Sequence, residues 1–241
     1  MTQDYSHLPR ILCLHGGGTS KVIFQFQARR LIRALRPHFR LVFVDAPFES
    51  APGPGVLPVF EGAGPYYEWL TKDDEGEEQV RSLLQRKLHE DDGAPVVGVL
   101  GFSQGTRIGS GLLHEQEQNG AFAPSLCFGV FLNGNYPPLR QRSNPSTLLP
   151  SISEFTLHES AKEWKEAHEG IIHLPSVHVL GRQDDILPRG QLLARCFDPA
   201  TATIFEFDNG HYLPTRDDDT QKIADEIVRI YRAEQEKKNS K

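Results

Sequence analysis

The sequence predicts an α/β domain, a mainly parallel sheet with helices on both faces. Short β-branched runs alternate with stretches of helical period, the order produced by parallel strands joined through crossover helices. The length of 241 residues suits one such domain, and a hydrophobic share of 38% supplies enough apolar surface for its core. Several of the strand-to-helix turns are rich in glycine, as tight βα turns require.

The first strand is expected over Arg10–His15, ending in Gly16-Gly17-Gly18. One helix should follow, with Phe24, Ala28, Leu31, Ile32 and Leu35 on a single face. Pro37 stops it, and Phe39–Val44 reads as the second strand. Residues Asp45–Pro65 hold five prolines and four glycines, too irregular a composition for a regular element. Acidic Asp73, Asp74, Glu75, Glu77 and Glu78 then favour the start of a helix carrying Val80, Leu83, Leu84 and Leu88, because carboxylates suit the positive end of its dipole. Val96–Phe102 is the third strand, Thr106–Gln118 the next helix, and Ser125–Leu132 the fourth strand. The rhythm breaks over Asn133–Gly170, a small lid-like insertion with Pro137, Pro138, Pro145, Pro150, Phe155 and Trp164. It resumes with a strand at Val177–Leu180, a short helix around Gln191–Cys196 and a strand at Thr203–Phe207. A last helix presents Ile223, Ile227, Ile230 and Tyr231. No repeat or linker marks a boundary, so a single domain over residues 1–241 is expected.

The chain carries 26 Lys+Arg against 32 Asp+Glu, a net charge of -6, and no basic patch, which argues against a nucleic-acid partner. Cys13, Cys127 and Cys196 are an odd set without C-x-x-C spacing, which points away from disulfides and zinc and toward a reducing compartment. The first ten residues lack the apolar core of a secretory signal, and the apolar runs fall far short of a membrane span. A cytoplasmic protein that does not engage the membrane is the expectation. His89, His114, His158, His168, His173 and His178 show no H-E-x-x-H spacing, so neither a metal nor a cofactor is expected.

Gly101-Phe102-Ser103-Gln104-Gly105 matches G-x-S-x-G between an apolar strand and a helical pattern. Such a turn strains the serine backbone and exposes its hydroxyl, and the flanking glycines let the chain fold back on itself. Ser103 is therefore the candidate nucleophile. A serine needs a base, and the base needs an acid to orient it. In the α/β-hydrolase fold these follow in the order Ser, acid, His. Beyond residue 180 the only histidine is His211, in the turn Asp208-Asn209-Gly210-His211. The acid belongs after the Val177–Leu180 strand, in Gly181-Arg182-Gln183-Asp184-Asp185, where Asp184 is favoured and Asp185 is the alternative; the remaining aspartate should mark the helix start near Pro188. Two backbone N–H groups should form an oxyanion hole, from Gln104 and from the loop after the first strand, with Gly17 first and Gly18 second. His15 is expected to tie down backbone there. The same glycines imitate a dinucleotide loop, but G-x-G-x-x-G would need glycine where Lys21 stands, and the phosphate-loop pattern also fails.

With these residues, the sequence resembles the small fungal "family of serine hydrolases" within the α/β-hydrolases, and more narrowly the polyketide-releasing thioesterases of lovastatin-pathway type. The similarity rests on Ile11–Gly17, Phe43–Pro47 (FVDAP), Phe60–Trp69 (FEGAGPYYEW), Gly101–Gly105, Gly181–Asp184 and Gly210–His211. It implies a triad of Ser103, Asp184 and His211. The implied substrates are acyl thioesters on the carrier domain of a polyketide synthase, or small esters. The aromatic-rich segments suggest an acyl pocket involving Phe48, Phe60, Tyr66 and Tyr136. Release of a polyketide chain in secondary metabolism is the leading expectation. A general carboxylesterase is the alternative, and a non-catalytic binding homologue the minor one.

Overall fold

The computed structural model describes residues 6–71, 76–90, 93–120, 125–139 and 171–240. Most of the insertion expected at 133–170, including Phe155 and Trp164, lies outside them, as do Asp73, Asp74 and Glu75.

Six strands form one parallel sheet: β1 (Arg10–Leu14), β2 (Arg40–Val44), β5 (Val96–Phe102), β6 (Phe128–Leu132), β7 (Ser176–Gly181) and β8 (Ala202–Phe207), in the order β2-β1-β5-β6-β7-β8. The central strands are buried along their whole length, which is why they read as continuous apolar runs rather than alternations. Residues of β1 divide between the two faces. Ile11 and Cys13 join a core with helices α1 (Lys21–Gln27), α2 (Arg29–Leu35) and α6 (Asp217–Asn239). Leu12 and Leu14 join a second core with α3 (Glu77–His89), α4 (Gln104–Asn119) and α5 (Leu187–Arg195). The mainly parallel sheet with helices on both faces that the alternation predicts is therefore the one observed, as the resemblance to the α/β-hydrolases also implies.

Three local expectations need correction. The helix after β1 is two short helices, with Ala28 leaving helical geometry between them at φ -87° and ψ 5°. Phe24, Ala28, Leu31 and Leu35 still share the buried face, so the periodicity survives the break. The segment after β2 is not wholly irregular: β3 (Phe48–Ser50) and β4 (Tyr66–Glu68) pair antiparallel and close it into a loop. Strands of three residues are too short to show a period. Finally, α5 extends over Leu187–Arg195, longer than the stretch expected around Gln191–Cys196, and it starts near Pro188 as the sequence predicts, with that proline in its first turn, where a missing N–H costs nothing.

Among the described residues no helix is long and apolar enough to cross a membrane, and no three His, Cys, Asp or Glu side chains gather as a metal site would require.

His178 of β7 is fully buried between Phe131 and Phe197, and burial pushes its imidazole down to about 3. In an unfolded chain it would titrate near about 6.5. Between those values the unfolded state holds more protons, so this contribution to stability is lost as pH falls from about 6.5 toward about 3. The urea midpoint is expected to drop between pH 7 and pH 4, and His178→Phe to flatten that slope. An unchanged slope in the variant would show that His178 is not the group responsible.

Candidate active site

Four loops meet at the carboxyl edge of the sheet, after β1, β5, β7 and β8. This is the edge where ligands bind in open parallel sheets. The turn after β5 is tight. Ser103 has φ 50° and ψ -117°, a strained conformation for a residue with a Cβ, at a cost of about 1–3 kcal/mol. Both neighbouring glycines are required by contact: a Cβ on Gly101 would lie 2.6 Å from the Gly105 carbonyl, and one on Gly105 would lie 2.3 Å from that of Leu14. Ser103 is the N-cap of α4 but makes no side-chain capping bond, so its hydroxyl is not committed to the helix. Thr106 holds the elbow from behind by donating to the Ser103 carbonyl at 2.6 Å.

Asp184 and His211 come together across two loops. The imidazole Nδ1 lies 2.7 Å from Asp184 Oδ2, and with the carboxylate side chain only 3% exposed and the imidazole 34% exposed, the acid is sealed behind the base. The other carboxylate oxygen, Oδ1, accepts from the Ile186 N–H at 2.9 Å. Asp184 thus also makes the bond into the start of α5 that the sequence reading assigned to the remaining aspartate, while Asp185 is exposed. The Phe102 ring, one residue before Ser103, lies 5.1 Å from the His211 ring. This contact brings the histidine loop to the elbow.

The loop after β1 reaches the same place. An ideal Cβ on Gly16 would be 3.3 Å from the Ser103 Cβ. The Gly18 N–H donates to the Tyr67 carbonyl at 2.8 Å, so it is spent on backbone pairing with β4. The N–H groups of Gly17 and Gln104 donate to no acceptor among the described residues. Gly17 is thus the available donor of the two glycines considered. At Gly18, φ is +68° and a Cβ would sit 2.1 Å from the Gly53 nitrogen, which accounts for glycine there without a catalytic role.

His15 and Trp69 hold this loop. The Ala46 N–H donates to His15 Nε2 at 2.9 Å, which leaves the proton on Nδ1 to donate to the Gly16 carbonyl at 2.7 Å. Burial keeps the ring below its usual protonation range, against smaller opposing effects from Gly16 and Asp45. His15 is therefore a neutral backbone tie. The Trp69 indole donates to the His15 carbonyl at 2.8 Å, and the Trp69 N–H donates to the Gln104 side-chain oxygen at 2.7 Å. One buried residue thus links the elbow to the glycine loop. The sequence signalled Trp69 only as an aromatic in a pocket-forming segment; its indole bond runs between residues 54 positions apart.

Of the aromatics named for the pocket, Phe48 and Tyr136 adjoin one core and Tyr66 is bonded to Phe60. Phe48 packs on Gly76 at the start of α3, where a Cβ would lie 2.1 Å from its ring, and Tyr136 is buried in the core shared by α3, α4 and α5. Tyr66 donates to the Phe60 carbonyl at 2.7 Å, and the Phe60 ring meets exposed Phe26 at 5.6 Å.

Known proteins are similar to this chain in sequence or in architecture. "Esterase FUS5" of Gibberella fujikuroi is 39% identical over 241 aligned residues, covering 97% of this chain and 92% of that protein. "Thioesterase FSL2" of Gibberella zeae is 36% identical, covering 92% of each. Among solved structures, a Rhizomucor miehei fungal esterase superposes with a TM-score of 0.59 at 15% identity, over 97% of this chain and 77% of that one. A Bacillus cereus carboxylesterase does so with a TM-score of 0.56 at 15% identity, over 93% and 90%. At that identity the two structures speak to the fold alone. The family model described as "Serine hydrolase (FSH1)" matches residues 4–223, a span that runs from before β1 past the histidine loop, and this chain belongs to that family of serine hydrolases.

Proposed function

We propose that Ser103, His211 and Asp184 act as nucleophile, base and orienting acid, and that the enzyme cleaves acyl thioesters, releasing a polyketide chain from a synthase carrier domain. The observation that carries the triad is the 2.7 Å bond between His211 Nδ1 and the buried Asp184 carboxylate. That bond leaves Nε2 free to take the Ser103 proton. The serine oxygen attacks the acyl carbon, and the charge that develops on the carbonyl oxygen falls to the N–H groups of Gly17 and Gln104. The carbon–sulfur bond breaks and the thiol departs. Water deprotonated by His211 then attacks the acyl-serine, the ester bond breaks, and the proton returns to Ser103 as the acid leaves. A thiol with a pKa of about 8.5 departs with less acid assistance than an alcohol, so the same groups handle either ester. The thioester reading draws on the name of the Gibberella zeae relative. The oxygen-ester alternative, a general carboxylesterase, draws on the name of the Gibberella fujikuroi relative.

One acyl group presented on a carrier protein and as a simple ester separates the two. The expected result is a kcat/KM at least about tenfold higher for the carrier-bound form, a difference of about 1.4 kcal/mol in transition-state binding. Equal or reversed preference would favour the carboxylesterase. The aromatic segment from Asp45 to Trp69, with Phe60 and Tyr66, is proposed to shape the acyl pocket, so longer or aromatic acyl groups should outpace acetyl.

A further inference from the structure

We infer that Asn133 is a positioning residue that holds the His211 loop and the Asp184 loop in register. The inference rests on the triad reading above and concerns a residue that reading does not use. Asn133 directly follows β6, which lies between β5, leading to Ser103, and β7, leading to Asp184. It is buried at 3% exposure with φ at 45°, in the left-handed region that asparagine tolerates better than other side-chain-bearing residues.

Every polar group of that side chain is used across chain. Nδ2 donates to the carbonyls of Gly210 and Tyr212, both at 3.2 Å, so it grips the backbone on either side of His211. Oδ1 accepts from the Gly181 N–H at 3.1 Å, where the Asp184 loop begins. Its own N–H donates to the Val179 carbonyl at 2.8 Å. The two loops it joins are in van der Waals contact. A Cβ on Gly181 would lie 2.5 Å from the carbonyls of both Asn209 and Gly210, and the Gln183 N–H donates to the Asn209 carbonyl at 3.0 Å. Glycine at 133 would accept the same φ with no strain but would supply none of the three side-chain bonds. The strained, buried amide is therefore explained by what it spans: two segments about 30 residues apart in the chain that carry Asp184 and His211, which meet at 2.7 Å.

Two variants test it. Asn133→Gly keeps the backbone conformation and deletes the clamp. Asn133→Asp keeps the shape and the acceptor to Gly181 but turns an oxygen toward two carbonyls. Displacing a catalytic group by a fraction of an ångström to 1 Å costs up to about 100-fold in rate. Both variants should therefore lose roughly 10- to 100-fold in kcat with KM changed less than about threefold, and labelling of Ser103 by a fluorophosphonate should slow in parallel. The decisive measurement is a double-mutant cycle with Asp184→Asn. If Asn133 acts through the Asp184–His211 pair, Asn133→Gly costs little further activity once Asp184 is replaced. Additive losses in the cycle, or wild-type kcat in a folded Asn133 variant, would overturn the inference. If Asp184→Asn itself retained full activity, the triad reading would be the one to fall.

Discussion

Replacing Ser103 with Ala is expected to lower kcat/KM on the order of 10⁴-fold or more. Alanine has the same Cβ as serine, so the strain at φ 50° is unchanged and the elbow should fold as before. What disappears is the oxygen proposed to form the acyl intermediate. The proposed oxyanion donors Gly17 and Gln104 remain, so a residual rate above uncatalysed hydrolysis should persist from them and from substrate binding alone. The assay is hydrolysis of a chromogenic acyl ester by the purified variant, with unfolding monitored separately. Loss of fluorophosphonate labelling should accompany it. Activity near wild type in a folded variant would refute the nucleophile assignment.

The second large effect separates two adjacent aspartates. Asp184→Asn is expected to cost on the order of 10⁴-fold in kcat, because an amide no longer holds the His211 proton on Nδ1 and the imidazole loses the tautomer that leaves Nε2 as a base. The 2.7 Å bond and the burial of the carboxylate give water little chance to substitute for it. Asp185→Asn, at an exposed position one residue along, should stay within about twofold of wild type. Comparing the two variants in one assay cancels differences in substrate and preparation. The reverse pattern would move the acid to Asp185. Retention of activity in both would mean that His211 is oriented by something other than a carboxylate in this loop.

The depth to which the sequence could be read followed the range of the interactions involved. The elbow was legible because its requirements are local: glycine is needed at 101 and 105, where backbone carbonyls approach within 2.6 Å and 2.3 Å of an ideal Cβ, and both lie two residues from Ser103. His211 could be singled out as the candidate base because chain order left one histidine beyond residue 180. The choice between Gly17 and Gly18 was not. It turns on a bond from the Gly18 N–H to the Tyr67 carbonyl, made by the β3–β4 ribbon, which had no periodic signal. Likewise, four aromatics in two irregular segments suggested a pocket, yet the fold sends Phe48 and Tyr136 into packing with other elements.

Asn133 and Trp69 mark the boundary most clearly. Neither stands in a motif whose spacing declares a role, since each acts on partners tens of residues away, through main-chain atoms whose identity no sequence position encodes. By itself the sequence determined the parallel α/β sheet, the elbow and the order of the candidate triad, because hydrophobic period, glycine contact and strand-end position act over a few residues. Only the tertiary structure decided which aspartate meets the histidine, which glycine N–H is free and what holds the loops in register. Those depend on strands brought side by side by burial, and on hydrogen bonds that exist only once they are.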